Sequence, residues 1–502
     1  MPHTGKPSGA CQQCRKSHAK CDEARPACGR CIKANKICSG YAEGLDLVLR
    51  QQNETAKAQV DRRQRITNKS DTTKPERRVV YRPPSPPISP SLPESEESHA
   101  VNWFVSSFAL YPRDTQADRG FIELLPLLYS SLKHGSPLAL ALVASSRAIY
   151  GKWEHRRKDA ETLALPDFGN ALAATRKALE DPEQSSSDET LMAICLLGFY
   201  EATTSAFKSQ ISPIRHFQGA AALIKQRRNK NMTEITNRLL IAVRSNIVFR
   251  AMQFAEPLDG TSDILDDNPG VPQNPGTLLD LMCVEVANLL ADAKRFHAIG
   301  SASPTDEASQ FKKLYNLMFK AQSLDAKLMT WPNFLPASWV PVRLPAKKVP
   351  KSVIETGFYG EWCDIYPDIM VCSTWNEWRV ARLMVLNLII QLSHTKSGTK
   401  DIDAIQELVD EICHSVPFSL GDRTEPGNLY GAQIQYPCLP NKPMSKEHQK
   451  TATAYGGWYL FAPFKEIMNV ARYLRKGQHE WILGQLARLA KMYDVAPNLS
   501  RS

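Results

Sequence analysis

The 502-residue chain lacks several features that would place it quickly. Its first residues, MPHTGKPSGA, contain no apolar stretch of the kind that a secretory signal requires, so we expect an intracellular, reducing environment. The longest apolar runs, LMAICLLGF from Leu191 and LMVLNLII from Leu383, are much shorter than the roughly 20 residues of a membrane-spanning helix. We therefore expect no membrane among the partners.

The chain also lacks the short motifs of common enzymes. It contains no phosphate-binding loop of the form GxxxxGK(S/T), no GxGxxG, no GxSxG and no HExxH. A DFG at Asp167–Gly169 has no glycine-rich loop to accompany it. We expect a protein that is not an enzyme and has no catalytic residues.

Alternating strand patterns are missing beyond about residue 100, where apolar residues recur at helical spacing. A stretch from about 330 to 360 is rich in proline and is predicted to be an irregular loop. The pattern predicts an all-α body of about a dozen helices. They start at Ser136 and Ser187 and lie at about 213–228, 233–254, 276–296, 306–329, 372–394, 401–414, 446–474 and 479–493.

What the chain does contain is a block of cysteines, CQQCRKSHAKCDEARPACGRCIKANKIC, in which C-x2-C-x6-C occurs twice with an offset of 17 residues. A C-x2-C pair lets two thiolates bind one metal ion from a tight turn, and structural zinc takes four such ligands. Six sulfurs can serve two zinc ions if two of the sulfurs bridge both, and the repeat favours Cys11 and Cys28. The predicted ligands are Cys11, Cys14, Cys21, Cys28, Cys31 and Cys38.

Other arrangements of these cysteines agree less well with the sequence. A disulfide framework needs an oxidising compartment, which the first residues do not indicate. Two independent four-cysteine sites would need more cysteines than the block contains. The block therefore favours a shared cluster of two zinc ions.

Positive charge is concentrated in the same part of the chain. Residues 1–82 contain 18 Lys and Arg against 8 Asp and Glu, a net charge of +10, whereas residues 83–502 contain 44 of each. A basic segment attached to a neutral body indicates a polyanionic partner for that segment.

The cysteine block resembles that of the fungal binuclear zinc-cluster transcription regulators, including a proline, Pro26, two residues before the fourth cysteine. LMAICLLGFYEATTSAF from Leu191, HFQGAAALIKQRR from His216 and STWNEWRVARLMVLNLIIQ from Ser373 resemble that family's regulatory region more loosely. The resemblance implies two zinc ions per chain, with the first and fourth cysteines, Cys11 and Cys28, as bridges. It also implies binding of double-stranded DNA.

More positive charge lies between Cys14 and Cys21 than between Cys31 and Cys38, so the first half is predicted to enter the major groove. The resemblance implies that it reads a GC-rich triplet such as CGG, and it places His18 at the base-reading position. The predicted phosphate contacts are Arg15, Lys16, Lys20, Arg30 and Lys33.

Between the block and the body, residues 62–82 are basic and residues 83–98 contain six prolines. The basic stretch fits a nuclear import signal, a phosphate-binding arm or a solvated linker, and these remain open. A weak apolar trace through Leu45, Leu49, Ala56 and Val60 is too short to predict a coiled coil, so a homodimer remains open.

These observations predict a two-zinc, six-cysteine DNA-binding domain over residues 1–40, a basic and proline-rich linker over 41–99, and an all-α regulatory domain over 100–502. We expect a nuclear, sequence-specific regulator of RNA polymerase II transcription that controls a fungal pathway such as secondary metabolism. Its expected partners are double-stranded DNA and the transcription machinery. The alternative is a zinc-containing interaction or sensor protein whose helical body binds a partner or a small ligand.

Overall fold

A computed structural model of the protein describes two compact units, Met1–Ser89 and Pro90–Ser502. The described residues are 10–11, 13–14, 17, 19–24, 27–36, 38, 95–109, 121–129, 132–153, 160–205, 214–227, 232–258, 271, 273–300, 307–345, 358–393, 399–420 and 452–493. Within these ranges, no helix combines the length and the apolar character needed to cross a membrane.

Among the described residues of the first unit, the short helix α1 (Gly29–Lys33) begins after Cys28. Among its described residues, the buried ones are Ala10 and four of the cysteines. The predicted small cysteine cluster at the N-terminus is therefore confirmed.

The second unit begins with α2 (Glu96–Phe108), which starts within the last residues of the segment predicted as a linker. The Ser95 side chain caps this helix by accepting a hydrogen bond from the Ser98 backbone N–H at 3.1 Å, and Glu96 and Glu97 lie in its first turn. Phe104 and Phe108, one turn apart, are completely buried. The cap and the apolar stripe together explain where this helix begins and which face it buries.

The first part of the body is a series of helices, each packed against its neighbours. Among them, α7 lies deepest, since every residue from 190 to 198 is buried. Helix α4 contacts α2, α5 and α7; α8 contacts α7 and α9; and α10 contacts α9 and α11. The bounds are α3 Leu125–Tyr129, α4 Pro137–Trp153, α5 Ala160–Glu180, α6 Pro182–Ser185, α7 Asp188–Ser205, α8 Ile214–Arg227, α9 Glu234–Phe254, α10 Pro275–Gly300 and α11 Glu307–Leu328.

A short antiparallel hairpin follows, in a region where the sequence predicted an irregular loop and no strands. Strand β1 (Val342–Pro345) pairs with β2 (Trp362–Ile365), with Leu344 opposite Cys363. Arg343 Nε and Nη2 donate to the two carboxylate oxygens of Asp364 at 2.8 and 3.0 Å. The prediction is wrong here because this cross-strand ion pair, which the local pattern does not reveal, stabilises strands too short to show alternation.

The last part of the body contains α12 (Ile369–Leu392), α13 (Thr399–Leu420), α14 (Phe461–Asn469) and α15 (Gln478–Met492). Over its described residues, the single helix predicted at 446–474 is instead broken into a π-helical turn (Ala452–Gly456), a 3-10 turn (Trp458–Leu460), α14 and a further 3-10 turn (Ala471–Tyr473). The break has a clear cause, since a Cβ on Gly456 would lie 1.7 Å from the Ser419 carbonyl oxygen. Helix α13 thus crosses this segment at backbone contact distance, which only glycine permits. Apart from the hairpin and this break, the prediction of a largely helical body is confirmed.

Buried tryptophans connect the irregular segment after α11 to the helices that pack around it. Trp331, Trp375 and Trp378 lie with ring centroids 5.2 to 6.0 Å apart. Each indole N–H donates to a backbone carbonyl at 2.8 to 2.9 Å, and the acceptors are Pro275, Trp339 and Leu328, respectively. The apolar rings are therefore buried without leaving an unpaired polar atom.

A buried arginine links α12 to α13 and to the end of the hairpin. Only 1% of Arg379 is exposed. Its Nε donates to Glu411 Oε2 at 3.0 Å, and its Nη1 donates to the Tyr366 hydroxyl at 3.0 Å and to Asn376 Oδ1 at 2.8 Å. Burial raises the pKa of Tyr366 well above its usual value, so this hydroxyl stays neutral and accepts the hydrogen bond.

Replacing Arg379 by methionine is expected to lower the free energy of unfolding by about 3 kcal/mol. This loss is at the low end of the range for breaking a buried ion pair, because Glu411 is partly exposed and its carboxylate can be hydrated again. Urea unfolding of the full chain, monitored by tryptophan fluorescence, measures this loss in the free energy of unfolding. Arg295→Met is the control, since Arg295 forms an exposed ion pair, and it should cost less than about 1 kcal/mol. Similar losses for both variants would contradict the role of Arg379.

Candidate metal centre and nucleic-acid interface

The cysteine sulfurs of the block come together in two overlapping groups, and within each group all the sulfurs lie within 4.8 Å of one another. The first group is Cys11, Cys14, Cys21 and Cys28, and the second is Cys11, Cys28, Cys31 and Cys38. Cys11 and Cys28 thus belong to both groups, and their sulfurs are 3.7 Å apart. Two ions with four ligands each would require this sharing.

The 17-residue sequence repeat is also a repeat of hydrogen bonds. In each half, the sulfur of the first cysteine accepts the backbone N–H of the second, at 3.4 Å for Cys11 and 3.3 Å for Cys28. The sulfur takes the place that a serine hydroxyl occupies at the start of a helix. Two further backbone hydrogen bonds of the first half recur 17 residues later in the second half. The bond from Ala19 N–H to Cys14 O corresponds to that from Lys36 N–H to Cys31 O. The bond from Ser17 N–H to Gln13 O corresponds to that from Ala34 N–H to Arg30 O.

Asp22 joins the two halves and was not singled out in the sequence. Its carboxylate oxygens accept the Gly29 backbone N–H at 3.1 and 2.9 Å, in the first turn of α1. A Cβ on Gly29 would lie 2.5 Å from Asp22 Oδ2, so the absence of a side chain allows this approach. An acidic residue directly after the third cysteine, ahead of a helix N-terminus, was the available sequence signal.

The thiols of the groups cannot all ionise without a cation. Burial raises the pKa of Cys14 to about 12, whereas backbone hydrogen bonds from Cys11 and Glu23 lower the pKa of Cys21 to about 7. None of the six cysteines forms a disulfide in this structure. Both groups consist of cysteine alone, and sulfur ligands at this density fit zinc.

The predicted DNA contacts fall partly within the described residues. Lys20, Arg30 and Lys33 are all exposed. On α1, Cys31 faces the sulfur groups, while Arg30 and Lys33 lie one turn apart in solvent. Arg15, Lys16 and His18 lie outside the described residues.

Comparison with known families finds a matching region in each of the two units of the chain. Residues 9–46 match the fungal Zn(2)-Cys(6) binuclear cluster domain. Residues 101–255, from within α2 to the end of α9, match the fungal specific transcription factor domain. The resemblance proposed from the cysteine block and the helical body is confirmed.

Two curated proteins of Emericella nidulans are similar to the chain. Transcription factor dbaG is 23% identical over 400 residues, which cover 72% of this chain and 89% of that protein. The aspercryptin biosynthesis cluster-specific transcription regulator atnN is 25% identical over 347 residues, which cover 65% of this chain and 53% of that protein. The chain thus spans about half the length of this second relative. No solved structure matches the chain.

Asp22→Ala is expected to weaken zinc binding by about tenfold, the usual effect of removing a group that orients a metal ligand. The substitution removes the acceptor that holds the first turn of α1, directly after Cys28. Competition with a chromophoric chelator measures the affinity. Asp22→Asn keeps one oxygen acceptor and should recover most of it, whereas equal affinities for wild type and Asp22→Ala would contradict this role.

Proposed function

We propose that this protein, which is a zinc-cluster transcription factor of the fungal type, is a sequence-specific DNA-binding regulator of RNA polymerase II transcription. One observation carries the proposal. Two sulfur groups that share Cys11 and Cys28 lie in the segment that holds the whole net positive charge of the chain. A cluster with a purely structural role would have no need of that charge.

In this proposal, the six cysteines would hold two zinc ions, and Cys11 and Cys28 would serve both. Zinc would supply the positive charge that lets neighbouring thiolates coexist. The chain supplies the two half-modules, which the Asp22 carboxylate and the paired sulfur-capped turns hold in position. Holding the halves together in this way fixes the exposed cations of α1 relative to the first half.

DNA contact is divided between the halves. We assign Arg15, Lys16, His18 and Lys20 to the first half, which reads a GC-rich, CGG-like triplet in the major groove, with His18 facing the bases. Arg30 and Lys33 contact phosphates and orient the module. The exposure of Lys20, Arg30 and Lys33 supports these assignments.

The proposed setting is the nucleus, where the helical body contacts the transcription machinery. The name of the second relative, a biosynthesis cluster-specific regulator, supports control of a secondary-metabolite gene cluster. Such control requires the protein to discriminate a few DNA sites from a large excess of competing DNA. A selection experiment measures this specificity directly.

Selection from a randomised DNA library by the full chain tests the proposal. With zinc present, we expect enrichment of a CGG-like triplet, and with a strong chelator, loss of that enrichment, because the metal holds the two halves together. One triplet or two spaced triplets would show how many modules bind at once. Absence of enrichment under both conditions would leave the cluster without a reading role.

Single substitutions separate base reading from phosphate binding. His18→Ala should relax the triplet preference, whereas Lys20→Ala should weaken binding to all sequences about equally and reduce the salt slope by about one unit. Binding titrations at several salt concentrations, on the selected site and on a mismatched site, measure both effects. An unchanged base preference for His18→Ala would remove His18 from the reading role.

A further inference from the structure

Helix α11 exposes an aromatic stripe on its solvent face. Phe311, Tyr315 and Phe319 are 68%, 64% and 64% exposed. Their spacing of four residues places the three rings on one face of the helix. The opposite face carries Leu317, Ala321, Leu324 and Leu328, which are buried against the body.

The face that carries these rings is uncharged apart from Lys312 at its edge. Ala308, Gln322 and Ala326 lie in line with the rings and are also exposed. Contiguous exposed apolar groups of this kind mark interaction sites. The stripe therefore has the character of a contact surface rather than of a solvated helix face.

Charge along the C-terminal half of this stripe's edge gives no support for an acidic partner. Lys320 Nζ lies 3.2 Å from Asp292 Oδ2, and Lys327 forms an ion pair with Glu285. These lysines are already neutralised within the body, so an acidic segment would find little unpaired positive charge along the C-terminal half of the stripe. An uncharged, aromatic partner surface fits better.

We propose that the stripe binds the same stripe of a second copy of the chain, with the two helices antiparallel and a two-fold axis at Tyr315. The stripe is self-complementary in this orientation, because aromatic residues lie four positions before and four positions after Tyr315. Phe311 then faces Phe319 of the partner subunit, and the two tyrosines meet on the axis. The Lys312 side chains of the two copies are separated by about 9 Å along the helices, so their repulsion is small at physiological salt.

The area available sets the strength of this dimer. Three rings that are about two-thirds exposed offer roughly 130 Å² each, or about 800 Å² for both copies together. This is about half of a standard-size interface. We therefore expect a weak dimer, at micromolar rather than nanomolar concentration.

This interaction goes beyond the proposed function and requires neither zinc nor DNA. A dimer of the body would bring two cluster units to one DNA molecule, and the second binding event would gain from the effective concentration of the first.

Sedimentation of the full chain without DNA, at concentrations from about 1 to 100 µM, tests for the dimer. This range covers the dissociation constants expected of a weak interface. We expect a concentration-dependent dimer, and at least a tenfold weaker association for Tyr315→Glu, which places two like charges on the axis. Leu127→Glu is the control, because Leu127 is 60% exposed on α3, elsewhere in the body. Circular dichroism confirms that both variants are folded. A wild-type chain that stays monomeric, or equal weakening by both variants, overturns the proposal.

Disulfide trapping tests the orientation. Tyr315→Cys places a thiol on the axis next to its own copy and should cross-link under mild oxidation. Phe319→Cys places the two thiols about 12 Å apart along the helices, too far for a disulfide. Wild type provides the background, since the described body cysteines are buried. Cross-linking of Tyr315→Cys alone supports the antiparallel dimer, cross-linking of both variants indicates a parallel one, and cross-linking of neither overturns the proposal.

Discussion

Repulsion between sulfurs is the constraint on which the cysteine-rich unit depends. The closest pairs among Cys11, Cys14, Cys28 and Cys31 lie 3.7 to 3.8 Å apart, and ionised thiols at that distance repel one another strongly. Among the described residues of this unit, the buried ones are these four cysteines and Ala10. So few residues cannot build a hydrophobic core, and ions that neutralise the thiolates take its place. Folding of this unit and metal binding are therefore expected to be a single event.

The repeated hydrogen bonds show how such a unit can specialise. Each half forms its turn from a cysteine sulfur and the backbone N–H that follows, so the turn does not depend on the side chains between the cysteines. At the 17-residue offset, the exposed Ile32 is the counterpart of Arg15, and Asn35 is the counterpart of His18. Two halves with one scaffold can therefore carry different side chains, and the six residues between Cys14 and Cys21 include more Lys and Arg than those between Cys31 and Cys38.

Sequence reasoning succeeded where the determinants are local. The grouping of the sulfurs follows from cysteine spacing, and most body helices follow from apolar periodicity. It failed where distant segments decide the outcome. The hairpin depends on Arg343 and Asp364, which are 21 residues apart, and the break near Gly456 depends on the backbone of Ser419 in another helix. The Asp22 contact was missed for a related reason, since its acceptor role exists only once α1 has formed beside it.

The distribution of charge gives the two units different means of association. The body has no net charge over residues 83–502, and several of its arginines, among them Arg343, Arg379 and Arg382, are paired with carboxylates inside it. Association through the body must therefore rest on removing apolar surface from water, and the rings of α11 offer such surface. The proposed binding of the basic unit to DNA would weaken as salt rises, whereas aromatic contact would not. In the proposed scheme, ionic strength would act on DNA occupancy and leave association of the body largely unchanged.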